Sequence, residues 1–367
     1  MKRRHRHRLH LGVFVPGLPG GVDAAAEYIF GGHGPKPFAT HIIRTKGPLP
    51  AMAPIRFTMA VCQVVWLTII GRLDAAHVNV SVRGSTARKV VLTAILRLLR
   101  IRYTVQVHSG RYPQFWRHLR PWTQQLIRPM FTQAEAVIVL GRCFEKFVTD
   151  DLGVDLARVV VVPNGVPVPP FTMKEPAETP KIVYVGRLDD NKGYLRLLEA
   201  LSTLRDSPWT AELVGDGEVS SARDKIIEYA MVDRIRVRAW SERTKVSSIV
   251  ASSNIFVLPS RSEGLSLSLL EAMANGLACI TSPAGAHREL ILNEINGLLV
   301  APTDTEELAK AIRRLIDSAH LRTELGAAAR EHIEAGYSVS HQRRRYEQLY
   351  AELFSSGQPS RGSKNAH

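Results

Sequence analysis

The stretch that most constrains this chain is residues 255–290, IFVLPSRSEGLSLSLLEAMANGLACITSPAGAHREL. Its pattern predicts an apolar strand that ends at Pro259, a loop of small polar residues, a helix and a second short apolar run. A strand that enters a helix through a loop rich in Ser and Gly is how α/β proteins present backbone N–H groups to a phosphorylated ligand. Glu263 in the loop and Glu271 in the helix would repel a phosphate, so we expect them to face sugar hydroxyls instead.

Strands alternate with helices twice along the 367 residues, which predicts an α/β fold with two doubly wound parallel sheets. A Pro-rich segment with little apolar pattern separates the two halves. Because ligands bind at the carboxyl ends of parallel strands, we expect the site in the cleft between the halves. We predict a first domain at residues 1–166, a linker at 167–180, a second domain at 181–336, a C-terminal helix at 337–355 and a disordered tail at 356–367.

Two helices of the first half differ in their apolar pattern. The run FTMAVCQVVWLTII at 57–70 is too short to span a bilayer and predicts a helix of the core. Residues 86–100 predict a basic amphipathic helix, in which apolar residues recur at helical spacing among Arg88, Lys89, Arg97 and Arg100. A further helix is expected near 143–151.

The positive charge is concentrated in the first half of the chain. Residues 1–168 carry 23 Lys and Arg against 8 Asp and Glu, whereas the remainder carries 25 against 26. Between Glu27 and Glu135 the only acidic residue is Asp74. This distribution indicates an anionic partner, either a phosphorylated acceptor, an anionic membrane leaflet or nucleic acid; a basic surface kept for solubility is the alternative. The three widely spaced cysteines favour a reducing compartment such as the cytoplasm.

The segment GRLDDNKG at 186–193 follows a predicted strand and precedes a helix. Arg187 and Lys192 at this junction suit the two phosphates of a diphosphate. No metal-binding pattern accompanies them, so we expect these two cations and a helix N-terminus to neutralise the diphosphate without a metal ion. The alternative is a surface ion pair between Arg187 and Asp189.

Three further features each have a structural alternative. Gly215-Asp216-Gly217 would allow close backbone approach to a nucleotide, or would only make a turn. His108 ends a strand in the cleft and could bond a substrate, or could be a structural histidine. Glu271 could bind ribose hydroxyls, or could complete a helix-capping box with Ser268, and Ser266 could cap the same helix.

Taken together, these motifs resemble those of family 4 of the retaining, nucleotide-sugar-dependent glycosyltransferases, which have the GT-B fold. The resemblance covers nearly the whole chain and is strongest at 181–300. It rests on the order and spacing of Gly20-Gly21, His108, Pro163-Asn164-Gly165-Val166, Gly186-Arg187-Leu188 with Lys192, Gly215-Asp216-Gly217, and the glutamates Glu263 and Glu271 with seven residues between them.

The resemblance implies two Rossmann-like domains, a C-terminal helix that returns toward the first domain, and transfer with net retention at the anomeric carbon. It implies that Glu263, Arg187, Lys192 and His108 act at the reacting centre. Residues implied to bind the donor are Glu271, Gly186, Gly215, Asp216, Gly217, Gly264, Leu265, Ser266 and Leu267, and those implied to bind acceptor or phosphate are Gly20, Gly21 and Asn164.

The expected substrates are a UDP-sugar, with GDP-mannose as the alternative, and a polyprenyl-diphosphate-linked glycan at the inner face of the plasma membrane. The acid-free span with its basic helix suggests peripheral docking on an anionic membrane. The first half departs from the family pattern at Val22-Asp23 and Pro167, which leaves the acceptor open. Other hypotheses are a soluble acceptor, an epimerase or phosphorylase of the same architecture, and a nucleic-acid-binding protein, for which the sequence contains no recognised module.

Overall fold

The computed structural model describes residues 9–17, 20–31, 38–47, 50–170, 177–240 and 243–354. Within them the first half forms a parallel six-stranded sheet with the order β2-β1-β3-β4-β5-β6. Its strands are β1 (Leu9–Val15), β2 (Phe38–Arg44), β3 (Ala75–Val80), β4 (Arg102–Val107), β5 (Ala136–Val139) and β6 (Val159–Val161). Its helices are α1 (Gly21–Ala26), α2 (Ala53–Ile69), α3 (Gly84–Leu98), α4 (Tyr112–Arg117) and α5 (Pro121–Thr132).

The second half forms another parallel six-stranded sheet, with the order β12-β11-β10-β7-β8-β9. Its strands are β7 (Lys181–Val185), β8 (Thr210–Val214), β9 (Ile235–Arg238), β10 (Ile255–Leu258), β11 (Ala278–Thr281) and β12 (Leu298–Leu299). Its helices are α6 (Tyr194–Ser202), α7 (Val219–Glu228), α8 (Arg243–Ala251), α9 (Leu267–Ala274), α10 (His287–Leu290), α11 (Thr305–Asp317) and α12 (Ala319–Gly336). Two parallel sheets with helices between their strands confirm the predicted α/β architecture.

The last helix, α13 (Val339–Phe354), returns to the first sheet, as expected. Tyr346 and Tyr350 are buried against residues of β1, β3 and β5. Gly165, at the end of the first half, donates its backbone N–H to Gln342 Oε1 of α13 at 2.7 Å. The chain therefore crosses from the first half to the second and back, and α13 completes the hydrophobic core of the first sheet.

Two helices differ from their predicted environment. The run 57–70 was expected in the core, but α2 buries only Ala60, Val64 and Leu67. Helix α3 was expected to present its basic residues around an apolar stripe, yet Lys89 is buried and donates to Thr45 Oγ1 at 2.9 Å. Apolar periodicity locates a helix, but it does not determine which of two apolar faces meets the sheet.

The remaining predictions divide between described and undescribed residues. In place of a single helix near 143–151 there are two short helical turns, at Arg142–Phe144 and Phe147–Asp151. Part of the predicted linker, 171–176, and the predicted tail lie outside the described residues. Among the helices that are described, none is both long and apolar enough to cross a bilayer.

Candidate active site

The loop between β10 and α9 holds a buried ion pair. Glu263 is 7% exposed, and its Oε1 accepts hydrogen bonds from Lys192 Nζ at 2.5 Å and from Ser260 Oγ at 2.8 Å. Burial alone would raise the pKa of Glu263, but the ammonium of Lys192 outweighs it and holds the pKa below its usual value. The carboxylate therefore stays charged and bound to the cation that the sequence placed 71 residues earlier.

His287 lies beside this pair, and the sequence analysis did not single it out. Its Nε2 accepts the backbone N–H of Ser266 at 3.3 Å, and its Nδ1 lies 3.0 Å from Thr281 Oγ1. Burial lowers the pKa of His287 to about 4, so the ring is neutral and Nδ1 carries its proton. The ring thus ties the end of β11 to the loop that begins α9. Its only signal in the sequence was its place shortly after a strand.

The two cations predicted to meet a diphosphate have different environments. Lys192 is engaged with Glu263, whereas the Arg187 side chain is 63% exposed. Arg187 Nε lies 3.7 Å from Asp189 Oδ2, so the alternative surface ion pair is present as a long contact. A guanidinium with that exposure remains available to a bound anion.

The glycine turn after β8 packs directly on the loop after β7. A Cβ atom on Gly215 would lie 1.8 Å from the carbonyl oxygen of Gly186. The two loops can therefore pack this closely only because residue 215 has no side chain. The backbone N–H of Leu188 donates to the carbonyl of Asp216 at 2.6 Å, and Gly217 has a φ of +100°. The turn after β8 and the loop after β7, both predicted to bind the donor, are therefore in direct contact. Asp216 is exposed.

Glu271 does not cap its own helix. Helix α9 is capped by Ser266, whose hydroxyl accepts the N–H of Leu269 at 3.5 Å, so the capping box with Ser268 is wrong. Glu271 Oε1 instead accepts the hydroxyl of Tyr28, from the first domain, at 2.8 Å. The carboxylate thus stands at the boundary between the two domains.

The cleft is closed by backbone contacts. A Cβ on Gly110 would lie 1.9 Å from the carbonyl oxygen of Glu263, and one on Gly264 would lie 2.3 Å from that of His108. Asn164, which is buried, donates its Nδ2 to the carbonyl of Leu265 at 2.9 Å. The loop that carries Glu263 therefore faces the strand end that carries His108.

His108 belongs to a polar network inside the first domain. Its Nε2 lies 2.6 Å from Asn79 Oδ1, and His77 Nε2 lies 3.1 Å from the same oxygen. Asn79 Nδ2 donates to the carbonyl of Phe14 at 3.1 Å, which orients the amide. The hydroxyl of Tyr350 in α13 reaches His77 Nδ1 at 2.7 Å. Burial, with His77 nearby, lowers the pKa of His108 to about 3, so the ring is neutral.

Both halves of the chain match known families in the order that the fold requires. Residues 5–168 match the model described as Glycosyltransferase Family 4, and residues 170–332 match the model described as Glycosyl transferases group 1. The chain belongs to glycosyltransferase family 4. This membership confirms the resemblance found in the motifs and the expectation of a glycosyltransferase enzyme.

Individual relatives of this glycosyltransferase are distant. Glycogen synthase of Mycobacterium tuberculosis is 28% identical over 214 residues, 56% of this chain and 51% of that protein. An Escherichia coli enzyme named UDP-Gal:alpha-D-GlcNAc-diphosphoundecaprenol alpha-1,3-galactosyltransferase is 28% identical over 219 residues, 55% of this chain and 56% of that protein. The chain thus spans about half the length of these relatives.

A solved structure confirms the GT-B fold. Anabaena HepE in complex with UDP-glucose superposes with a TM-score of 0.74 at 18% identity, covering 93% of this chain and 99% of that one. At this identity the likeness concerns the fold alone.

The glycosyltransferase brings several of the predicted site residues to the domain boundary. Glu263, Gly264, Leu265 and Ser266 lie in the β10–α9 loop, Lys192 reaches this loop from the segment between β7 and α6, and Asn164 contacts it from the other half. Gly20 and Gly21 are exposed at the start of α1, with open space where a side chain would stand. Their glycine identity is not required by packing.

Proposed function

We propose that the protein transfers a hexose-type sugar from a nucleoside-diphosphate sugar, with UDP as the favoured carrier, to an acceptor hydroxyl with retention. The observation that carries this proposal is the buried Lys192–Glu263 pair, held where the β10–α9 loop meets His108 across the closed cleft. The sugar would lie between Glu263 and His108, and the ribose at Glu271. The two anchoring groups come from different domains, as expected for a site in the cleft between them.

In the proposed reaction the bond between the anomeric carbon and the phosphate oxygen breaks, and the acceptor oxygen bonds to the same face of that carbon. The proton of the acceptor hydroxyl moves to the departing phosphate. Arg187, which is largely exposed, and Lys192 would take the charge of the diphosphate, supported by the N–H groups at the start of α9. The proposal therefore needs no metal ion. Closure between the domains would limit hydrolysis of the donor.

The proposed acceptor is a polyprenyl-diphosphate-linked glycan, used in polysaccharide or glycolipid synthesis at the cytoplasmic side of the plasma membrane. Two observations support it: the excess of cations in the first half, and the Escherichia coli relative, whose name specifies a diphosphoundecaprenol acceptor. A small soluble acceptor is the alternative, and the same cations would suit a phosphorylated one.

The donor is tested by calorimetric and thermal-shift binding of UDP, GDP and ADP, each with and without EDTA. We expect one diphosphate to stabilise the protein regardless of EDTA, because a ligand that binds the folded state raises the unfolding midpoint by mass action. Glu271→Ala should weaken that binding about tenfold, the loss of a charged hydrogen bond to ribose. If no diphosphate binds under any condition, the nucleotide-sugar assignment is wrong.

Retention is tested by NMR of the product. The anomeric configuration of the transferred sugar should equal that of the donor when a synthetic lipid-linked acceptor is used. An inverted product would contradict the proposed same-face mechanism. Transfer to soluble glycans alone would contradict the proposed acceptor.

A further inference from the structure

Helix α2 is apolar on two opposite faces. Ala60, Val64 and Leu67 are buried against the sheet. The opposite face carries a second apolar row at intervals of four and three residues, so that its members form one line along the helix. We call this row the α2 stripe; it consists of Ile55, Met59, Cys62, Trp66 and Ile69. Ile55, Met59, Trp66 and Ile69 are 63, 56, 61 and 73% exposed.

Two other helices on the same face of the sheet also carry exposed apolar side chains. Right-handed crossovers place α2, α3 and α5 on the same face of the first sheet, and Arg97 of α3 is bonded to the carbonyl of Pro129 in α5 at 3.0 Å. Exposed apolar side chains occur in both, namely Val91 and Leu98 in α3 and Trp122 and Leu126 in α5. Exposed apolar side chains on three helices of one face favour an interaction site at that face.

The charge of this face identifies the partner. Helices α2, α3 and α5 contain no Asp or Glu. Arg72 and Arg100 are exposed just beyond the ends of α2 and α3, and Arg120 is exposed at the start of α5. A second copy of the chain would bring these cations against like charges. An anionic bilayer accepts both the apolar side chains and the arginines, and Trp suits the level of the lipid headgroups.

We propose that the α2 stripe inserts into the interfacial region of an anionic membrane, with the flanking arginines on lipid phosphates. This surface deepens the proposed function, since it would hold the enzyme where a lipid-linked acceptor resides. Helix α2 starts after the carboxyl end of β2, the sheet edge that faces the cleft. Insertion along α2 therefore places the acceptor side of the cleft next to the headgroups.

The test is sedimentation of the full chain with vesicles of phosphatidylcholine alone or with phosphatidylglycerol. The wild type should bind the anionic vesicles, less so at high salt. The double variant Met59→Ser/Trp66→Ser should bind at least about tenfold more weakly, because it removes two inserted apolar side chains. A matched control is Ile227→Ser/Val232→Ser, which removes two equally exposed side chains of the second domain and should bind like the wild type.

Equal binding of the two double variants, or no binding by the wild type, would overturn the proposal. A wild-type dimer that becomes a monomer in Met59→Ser/Trp66→Ser would also overturn it, since the stripe would then be an interface between copies. Slow hydrolysis of the sugar nucleotide without vesicles should be the same in all three proteins. If none of the three proteins, the wild type included, hydrolyses the sugar nucleotide, that result counts against the proposed donor chemistry and not against the membrane surface.

Cys62 provides a measurement that leaves the apolar side chains of the stripe in place. It lies in the middle of the stripe and is exposed, as is Cys143, whereas Cys279 is buried. A fluorophore on Cys62 in a Cys143→Ser protein should shift to the blue and be quenched by brominated lipids. The same fluorophore on Cys143 in a Cys62→Ser protein should not. Equal quenching at the two positions, or none at Cys62, would contradict insertion of the stripe.

The buried network behind His108 carries a second, independent inference. Asn79 Oδ1 can only accept a hydrogen bond, because Asn79 Nδ2 is already directed at the carbonyl of Phe14. His108 Nε2, 2.6 Å from that oxygen, must therefore carry the ring proton. Nδ1 of His108 is then an acceptor, and none of the residues that the structure describes donates to it.

The geometry points to Asn79 as a positioning residue, which holds His108 in the tautomer that accepts a sugar hydroxyl through Nδ1. His77 and Tyr350 support Asn79 from behind. The role of His108 rests on the proposed function, but its tautomer does not. The ¹⁵N shifts of its ring, measured on ¹⁵N-histidine-labelled protein, report the tautomer whether or not transfer is observed.

In the wild type these shifts should show a proton on Nε2, and in Asn79→Leu they should show both tautomers. Asn79→Asp keeps the acceptor but places a carboxylate beside His108, so protonated His108 is favoured and kcat/KM should rise severalfold from pH 6.5 to 8.5. The control Asn296→Asp alters a buried asparagine of the second domain and should leave the wild-type pH profile. Unchanged shifts in Asn79→Leu, or identical profiles for the two aspartate variants, would overturn the assignment.

Discussion

Replacing Gly110 by alanine should prevent full closure of the cleft. Gly110 lies in the first domain, two residues after His108, and faces the backbone of Glu263 in the second. An added Cβ would lie 1.9 Å from the Glu263 carbonyl oxygen and 2.2 Å from its carbon, and ordinary contact begins at 3.4 Å. Both partners are backbone atoms, so no side chain can rotate away to relieve the overlap.

The two loops must therefore separate by about 1.5 Å, the difference between 1.9 and 3.4 Å. The bond from Asn164 to the Leu265 carbonyl, 2.9 Å long, and that from Tyr28 to Glu271, 2.8 Å long, cross the same boundary. Each contributes about 1 kcal/mol to the closed form and would lengthen beyond hydrogen-bond distance. A displacement of this size between reacting groups costs about 100-fold in rate.

We expect kcat/KM of Gly110→Ala to fall about 100-fold, with an unfolding midpoint close to that of the wild type, because each domain keeps its own core. Steady-state transfer measures kcat/KM, thermal unfolding measures the midpoint, and small-angle scattering with bound diphosphate reports the closure. Gly84→Ala is the control: it starts α3 in the same domain, where a Cβ meets only the Arg88 side chain at 3.4 Å. Wild-type kcat/KM in Gly110→Ala would refute closure as the active arrangement.

Three further predictions follow from the site. Glu263→Gln leaves the Lys192 ammonium half-buried without its counter-charge, so the free energy of unfolding should fall by about 3 kcal/mol in urea; an unchanged midpoint would contradict this. Burial lowers the pKa of His77 and of His287 to about 4, whereas unfolded histidine titrates near 6.5. The unfolded state therefore binds more protons between those values, so stability should fall as the pH is lowered through that range, by about 1.4 kcal/mol per unit for each ring. His77→Gln should reduce the total slope by the share of one ring, about 1.4 kcal/mol per unit, and an undiminished slope would argue against the burial of a neutral His77. Tyr28→Phe removes the hydroxyl that orients the Glu271 carboxylate, which is proposed to bind the ribose, and should weaken diphosphate binding severalfold; unchanged diphosphate affinity would argue against that orienting role.

The local pattern of the chain was sufficient for most of the elements and for the family, although the helix expected near 143–151 is two short helical turns. Buried parallel strands are continuous apolar runs, and loops at their carboxyl ends carry the glycines and charged residues, so the order of motifs such as Gly186-Arg187-Leu188 and Glu263 with Glu271 could be interpreted without coordinates. The two halves follow from the same periodicity, whereas the return of the last helix to the first domain was implied by the family resemblance.

Partners distant in sequence were decided only by the tertiary structure. The binding of Glu271 to Tyr28 spans 243 residues, and no local pattern distinguishes it from the capping box that was the alternative. His287 could not be identified from the sequence, because a lone histidine has no recognisable pattern. Its two partners, Thr281 and Ser266, are brought to its ring nitrogens only by the packing of β11 against the loop before α9.

Helix α2 shows most clearly what periodicity cannot predict. Its sequence is apolar around most of its circumference, so periodicity could not tell the face against the sheet from the face in solvent, and the prediction of a core helix was wrong. In the structure Ala60, Val64 and Leu67 pack against the sheet, whereas Met59 and Trp66 are exposed. Periodicity is a property of one helix, whereas burial is a property of the helix and the sheet it meets, and only the second is determined by the fold.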